Sequence, residues 1–243
     1  MKGRMGLALV AAALMIFAGY AALFVAPDEK TMHAIQRIFY FHVPSAICAF
    51  TAFFVVFVAS LAYLGTRKPQ WDWLAVAGAE VGVVCSTIVL ITGPIWAHPV
   101  WGVWWTWDAR LTSTFVLWLL YAAYLLLRGF LEDPQRKAVF SSIFGIFAFL
   151  DVPLVYFSNR LWRTQHPQPV ILGGSNSGLD PMMSKVLLIS FVSVLCITAI
   201  LISDRYRLER LRSEYEELRF RAESHTADEP VPAPRGAAEV RMK

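Results

Sequence analysis

Apolar residues along this chain fall in long blocks instead of alternating singly with polar ones. Six blocks, at about 5–26, 43–64, 74–93, 112–128, 138–157 and 183–203, each meet the requirement of roughly 17 to 25 mostly apolar residues for a helix that crosses a bilayer. Lipid offers no partner for backbone N–H and C=O groups, so each block is expected to satisfy its backbone internally, as an α-helix. The pattern therefore predicts an all-α polytopic integral membrane protein with six transmembrane helices. The first block follows Lys2 and Arg4, as the apolar core of a secretory signal does. It is longer than such a core, and no small-x-small cleavage site precedes Pro27, so it is read as a retained span.

Six spans leave two sets of connecting segments. One set, 65–73 and 129–137, is short and charged, as connections between antiparallel helices are. The other, about 27–42, 94–111 and 158–182, carries the residues of chemical interest. Beyond Asp204 the composition shifts: Leu208, Leu211, Tyr215 and Leu218 recur at helical spacing in a charged stretch, followed by a Pro-, Ala- and charge-rich end. The expected organisation is a six-span membrane domain over 1–205, with a tryptophan-rich loop at 94–112, and a C-terminal helix and tail over 206–243. The tail from about His225 has the composition of a disordered segment. No internal repeat of the transporter kind is present.

Charge sets the orientation. Sixteen of the 22 basic residues lie before the first block, in or at the edge of the two short connections and after the last block; only Lys30, Arg37, Arg110, Arg160, Arg163 and Lys185 lie elsewhere. Basic loops stay in the cytoplasm, so both termini are expected there and the three longer segments outside. The net charge of +4 is thus a topology signal and gives no support to a nucleic-acid partner. Composition agrees with a lipid environment: 57% hydrophobic residues and a mean hydropathy of +0.51 exceed what soluble domains carry. Cys48, Cys85 and Cys196 all fall inside expected spans, without a CxxC pair or a haem attachment motif, and read as small core residues.

The densest signal is Trp101-Gly102-Val103-Trp104-Trp105-Thr106-Trp107-Asp108-Ala109-Arg110-Leu111-Thr112, with four of the nine tryptophans in seven residues. Tryptophan collects at membrane interfaces as an aromatic belt, but a belt is rarely this dense. On a helix, Trp101, Trp104, Trp105 and Asp108 would share one face, a platform for something large, flat and apolar. Gly102 and the nearby Pro94 and Pro99 also permit an irregular loop, where proximity alone would serve. Asp108 and Arg110 would either orient an anionic group at the platform's edge or pair with each other at a helix start. Four histidines, His33, His42, His98 and His166, lie in the outward segments, and a flat iron macrocycle takes axial ligands of this type. Spacing alone does not select two of the four, although Ile35, Ile38, Phe39 and His42 form a helical stripe. Two acids inside spans, Glu80 and Asp151, read equally as relays or as buried hydrogen-bond partners.

The run Trp-Gly-x-Trp-Trp-x-Trp-Asp-x-Arg-Leu-Thr resembles the tryptophan-rich (WWD) signature of the haem handling proteins. With six spans, with Arg37-Ile38-Phe39-Tyr40-Phe41-His42-Val43-Pro44 ahead of the second, and with His166 beyond the loop, the chain looks like the cytochrome c maturation protein C (haem exporter protein C) family over roughly 30–205. The resemblance implies His42 and His166 as axial ligands of haem b. It implies Trp101, Trp104, Trp105, Trp107 and Asp108 as shelf and docking surface, with Arg110 beside them. It also implies a non-enzymatic haem delivery component in the bacterial inner membrane, working with a periplasmic haem chaperone, the subunits of an ATP-binding cassette transporter and a small single-span membrane protein. ATP hydrolysis would belong to a partner, since this chain has no Walker A pattern. The alternatives are a haem lyase-like enzyme, an electron-transfer cytochrome and a non-haem aromatic-belted subunit. The first two call for histidines within the membrane, and no histidine falls inside the six expected blocks.

Overall fold

The computed structural model describes residues 2–167 and 179–228. Gln168 and Pro169, which follow His166, and the tail from 229 onward lie outside the described residues. Among those described the elements are helical: α1 (Lys2–Tyr20, prolonged by a π turn over Ala21–Val25), a 3-10 turn (Ala34–Ile38), α2 (Phe39–Thr66), α3 (Pro69–Trp101), α4 (Ala109–Phe130), α5 (Pro134–Phe149), α6 (Asp151–Leu161) and α7 (Pro181–Asp228). Six helical stretches are long and apolar enough to cross a membrane, one for each expected block.

The helices outrun the blocks, because a helix continues into the interface as long as its residues tolerate it. As a result His42 lies one turn inside α2 and His98 one turn from the end of α3. The histidine-free spans of the sequence reading therefore hold for the middle of the helices and not for their outer ends. The fifth span is two helices, α5 and α6, broken at Leu150. Pro153 supplies the cause: it has no N–H for the carbonyl of Phe149, and its ring crowds that carbonyl. His225 is also helical, since α7 continues to Asp228.

α2 and α3 form the most extensive pairing in the bundle. Small residues allow it: a Cβ on Gly78 would sit 3.0 Å from the Ala52 carbonyl oxygen, and one on Gly82 would collide with the ring of Phe53. Close backbone approach between small residues is how helices gain packing energy where lipid supplies no hydrophobic drive. Phe53 in turn stacks on Tyr121 of α4, with ring centroids 3.7 Å apart and planes 9° from parallel. Both rings are fully buried.

The two ends of the bundle differ. At one end Arg4 of α1 pairs with Asp204 of α7, Arg205 of α7 pairs with Glu80 of α3, and Arg128 of α4 grips Asp72 of α3 through two hydrogen bonds of 2.6 and 2.8 Å. The sequence left Glu80 open between a relay and a bond to a neighbouring helix; the structure gives it a guanidinium partner. The other end opens into a cavity.

Candidate functional site

Six segments converge on that cavity of about 1040 Å³: the stretch ahead of α2, the start of α2, the end of α3, the start of α4, the α6 end with the segment after it, and the start of α7. Its volume is at the upper end of the range for small-molecule sites, about 300 to 1000 Å³. The lining is mostly apolar, with Phe39, Phe50, Trp96, Trp101, Trp105 and Tyr156 among its walls. His42 and His166 both line it; His33 and His98 do not.

Local structure accounts for that division. Glu29 accepts backbone N–H bonds from Thr31 (2.7 Å) and Met32 (2.6 Å), which tightens the turn before the 3-10 helix and holds the Glu29 carboxyl below its ordinary range. His33 closes that turn with φ of +48°. His98 stacks instead on Trp104, with centroids 4.3 Å apart and planes at 22°. The stack stands outside the cavity lining.

Hydrogen bonds fix the tautomer of both cavity histidines. Thr92 donates its hydroxyl to the Ile88 carbonyl at 2.7 Å, so its oxygen is left to accept from Nδ1–H of His42 at 2.8 Å. Nδ1 of His166 lies 2.9 Å from the Pro167 carbonyl oxygen, which only accepts, so this nitrogen also carries the proton. In both rings Nε2 is left with its lone pair. A backbone or side-chain acceptor on one ring nitrogen is the arrangement that orients metal-ligating imidazoles. His166 is only half exposed, and protein atoms surround it. Burial first, and the Arg110 guanidinium second, push it down to about 4, against the opposing pull of the Pro167 carbonyl and of Asp108. It is neutral at physiological pH.

Asp108 does not face the cavity. One carboxylate oxygen accepts from the Leu111 N–H at 2.9 Å and so caps the start of α4; the other accepts from the Gln165 N–H at 3.2 Å. It therefore ties the helix start to the residue before His166. Arg110 does line the cavity, and it donates to Asn159 Oδ1 at 3.1 Å and to the Val155 carbonyl at 3.4 Å. Asp108 and Arg110 make no direct hydrogen bond with each other among the described residues; of the two, only Arg110 faces the cavity, where its charge is available to an anionic group. Asn159 also donates to the Pro167 carbonyl at 3.0 Å, the same oxygen that receives His166. Thr92 and Asn159 are thus positioning residues that spacing did not single out; their only sequence signal was a polar side chain at the end of an apolar block.

The tryptophan run is not one helical face. α3 ends at Trp101, and Gly102 adopts φ of +76°, a left-handed cap that a side chain would strain. Residues 102–108 are irregular as a result. Trp101 and Trp105 turn into the cavity, whereas Trp104 and Trp107 point away and are 58% and 75% exposed. Trp105 packs edge-on against Trp107 and Phe115, and its Nε1–H is buried without a partner among the described residues.

The family model described as Heme exporter protein C matches residues 2–221. The chain belongs to that family. The Heme exporter protein C of Bradyrhizobium diazoefficiens is 31% identical over 220 residues, 90% of this chain and 84% of its own length. That of Escherichia coli is 31% identical over 182 residues, 75% and 73% of the two chains. A ccmC-like mitochondrial protein of cytochrome c biosynthesis from Marchantia polymorpha is 29% identical over 187 residues, 77% and 79% of the two.

Proposed function

We propose that this chain holds haem b in the outward cavity, with Nε2 of His42 and of His166 as axial ligands, and presents it for transfer to a periplasmic haem chaperone during cytochrome c maturation. The observation that carries the proposal is that two of the four outward histidines share one large, aromatic-walled cavity with their Nδ1–H groups already committed to acceptors. Trp101 and Trp105 supply flat apolar surface, and Arg110, buried beside them, supplies positive charge for a carboxylate of the ligand. Trp104 and Trp107 face outward and suit a docking surface. Asp108 acts through position, since it holds the segment that carries His166. One ligand on a helix and one on a loop makes release natural: opening the loop removes one axial bond while the other keeps its place.

In this reading the chain is a non-enzymatic component of the bacterial inner membrane, with both termini in the cytoplasm. ATP is hydrolysed by subunits of an ATP-binding cassette transporter that work with it, alongside a small single-span membrane protein. The family membership and the relatives named for heme export and cytochrome c biosynthesis support this setting.

The test is the visible absorption spectrum of the protein purified in detergent, beside that of a His42→Ala, His166→Ala variant. The expected outcome is a low-spin spectrum that is lost or strongly altered in the variant. Haem bound equally well by both would remove the ligand assignment, and a protein that neither carries nor takes up haem would favour the aromatic-belt reading.

A further inference from the structure

At the end of the bundle opposite the cavity, α7 does not stop with its apolar block. It continues from Asp204 to Asp228 without a glycine or a second proline, about 36 Å of further helix at 1.5 Å per residue. Ion pairs four residues apart line it: Arg210–Glu214, Arg212–Glu216, Arg219–Glu223 and Arg221–Glu217. Such pairs support a helix that stands alone. Along it runs a stripe of Leu208, Leu211, Tyr215 and Leu218, which are 50%, 59%, 66% and 65% exposed. The alternating spacing of three and four is that of a coiled-coil seam.

Charge beside the seam says what fits it. The flanking positions of that repeat are Arg207, Arg212, Glu214, Arg219 and Arg221, four cations and one anion. Flanking charges select the partner in coiled coils. A second copy of this chain, held parallel by the shared membrane, would set Arg207 against Arg212 and Glu214 against Arg219, one repulsive pair for each attractive one, whereas an acidic partner meets a cation at four of the five positions. A membrane surface is out of reach, because Leu218 stands about 21 Å of helix beyond Asp204 and the helix has no kink to lay it down. We infer that this stripe seats a partner helix whose own apolar stripe is flanked by aspartate and glutamate. The inference does not rest on the haem reading, and it places a protein contact at the end of the chain remote from the cavity.

The test uses the full-length protein in nanodiscs of zwitterionic lipid and two dye-labelled helical peptides of four heptads. Both carry leucine at the seam positions; one is flanked by glutamate, the other by lysine. Fluorescence anisotropy is expected to show binding of the acidic peptide, binding of the basic peptide at least about tenfold weaker, and weakening with added salt. Leu211→Glu and Leu218→Glu are each expected to lower acidic-peptide affinity at least about tenfold, with helix content by circular dichroism unchanged; Leu211→Ala serves as the milder variant if either fails to fold. Equal binding of both peptides, or no binding of the acidic one, overturns the inference. So does a disulfide-linked dimer of Leu211→Cys formed without peptide, which assigns the seam to a second copy. Acidic-peptide binding that persists in zwitterionic nanodiscs but is lost in anionic ones at the same salt concentration, with Tyr215 fluorescence shifting as for a group entering lipid, assigns the stripe to the membrane surface and overturns it as well.

Discussion

His166 shows how far a single residue's surroundings govern this site. An imidazole in water carries a proton up to about pH 6.5. Here burial and the Arg110 guanidinium bring that value down to about 4. The open loop therefore binds a proton more readily than the closed one between these two values. By linkage the closed arrangement has its full stability above about 6.5 and loses it as pH falls through about 4, levelling off below. If, as proposed, the closed loop presents Nε2 for iron, the low-spin haem spectrum is expected to persist from pH 8 to 6.5 and to fade progressively between 6.5 and 4. A pH titration followed by absorbance checks this; a spectrum constant down to pH 4 would mean that the packing around His166 does not control ligation. Thr92 and Asn159 work at the same scale. Each spends a hydrogen bond on fixing a ring or a carbonyl and makes no claim on the ligand itself.

Among the elements, the α2–α3 pair is the one whose sequence leaves least freedom. Gly82 faces a Phe53 ring that cannot swing away, because Tyr121 lies stacked upon its other side. Gly82→Ala is therefore expected to destabilise the protein by about 1 to 3 kcal/mol through overpacking. Gly19→Ala in α1, where an added methyl meets nothing within 4 Å, is expected to be neutral or mildly stabilising, since alanine is the better helix former. Thermal unfolding of the two variants in detergent compares them directly; equal midpoints would show that Phe53 adapts. The break at Leu150 belongs to this scale too. A single proline splits the fifth span, and the shorter piece, α6, carries Val155 and Asn159 to Arg110.

For the whole molecule the polarity between its ends is the governing fact. The ionic end joins α1, α3, α4 and α7 through Arg4–Asp204, Arg128–Asp72 and Arg205–Glu80, and the cavity lies at the other. With basic residues held in the cytoplasm, cysteines placed by Trp107→Cys and Ser213→Cys should differ in labelling. An impermeant maleimide is expected to reach the first in spheroplasts and the second only after the membrane is permeabilised. The reverse pattern would put the cavity in the cytoplasm and end the periplasmic reading. α7 spans both ends: Leu179, Asp180 and Met183 at or just before its start line the cavity, and its far end bears the exposed stripe.

The number, helical type and order of the spans were legible in the sequence, though not the break in the fifth, because hydrocarbon leaves a long apolar block no structure but a helix. The same rule made the tryptophan run and its resemblance visible, since they are local in the chain. What the sequence left open were relations between segments. It offered four histidines on spacing alone, of which the resemblance implied two; the tertiary structure is what sends His42 and His166 into one cavity while a tight turn and a tryptophan stack hold His33 and His98 apart. It offered a helical platform of indoles, which Gly102 breaks so that two face inward and two outward. It offered Asp108 as an orienting group at the platform's edge or a partner for Arg110, and folding made it a tie between α4 and the His166 segment. Periodicity reports which side of a helix is apolar, but contacts between residues 50 or more apart depend on how helix ends are turned, and that is decided only when the bundle closes.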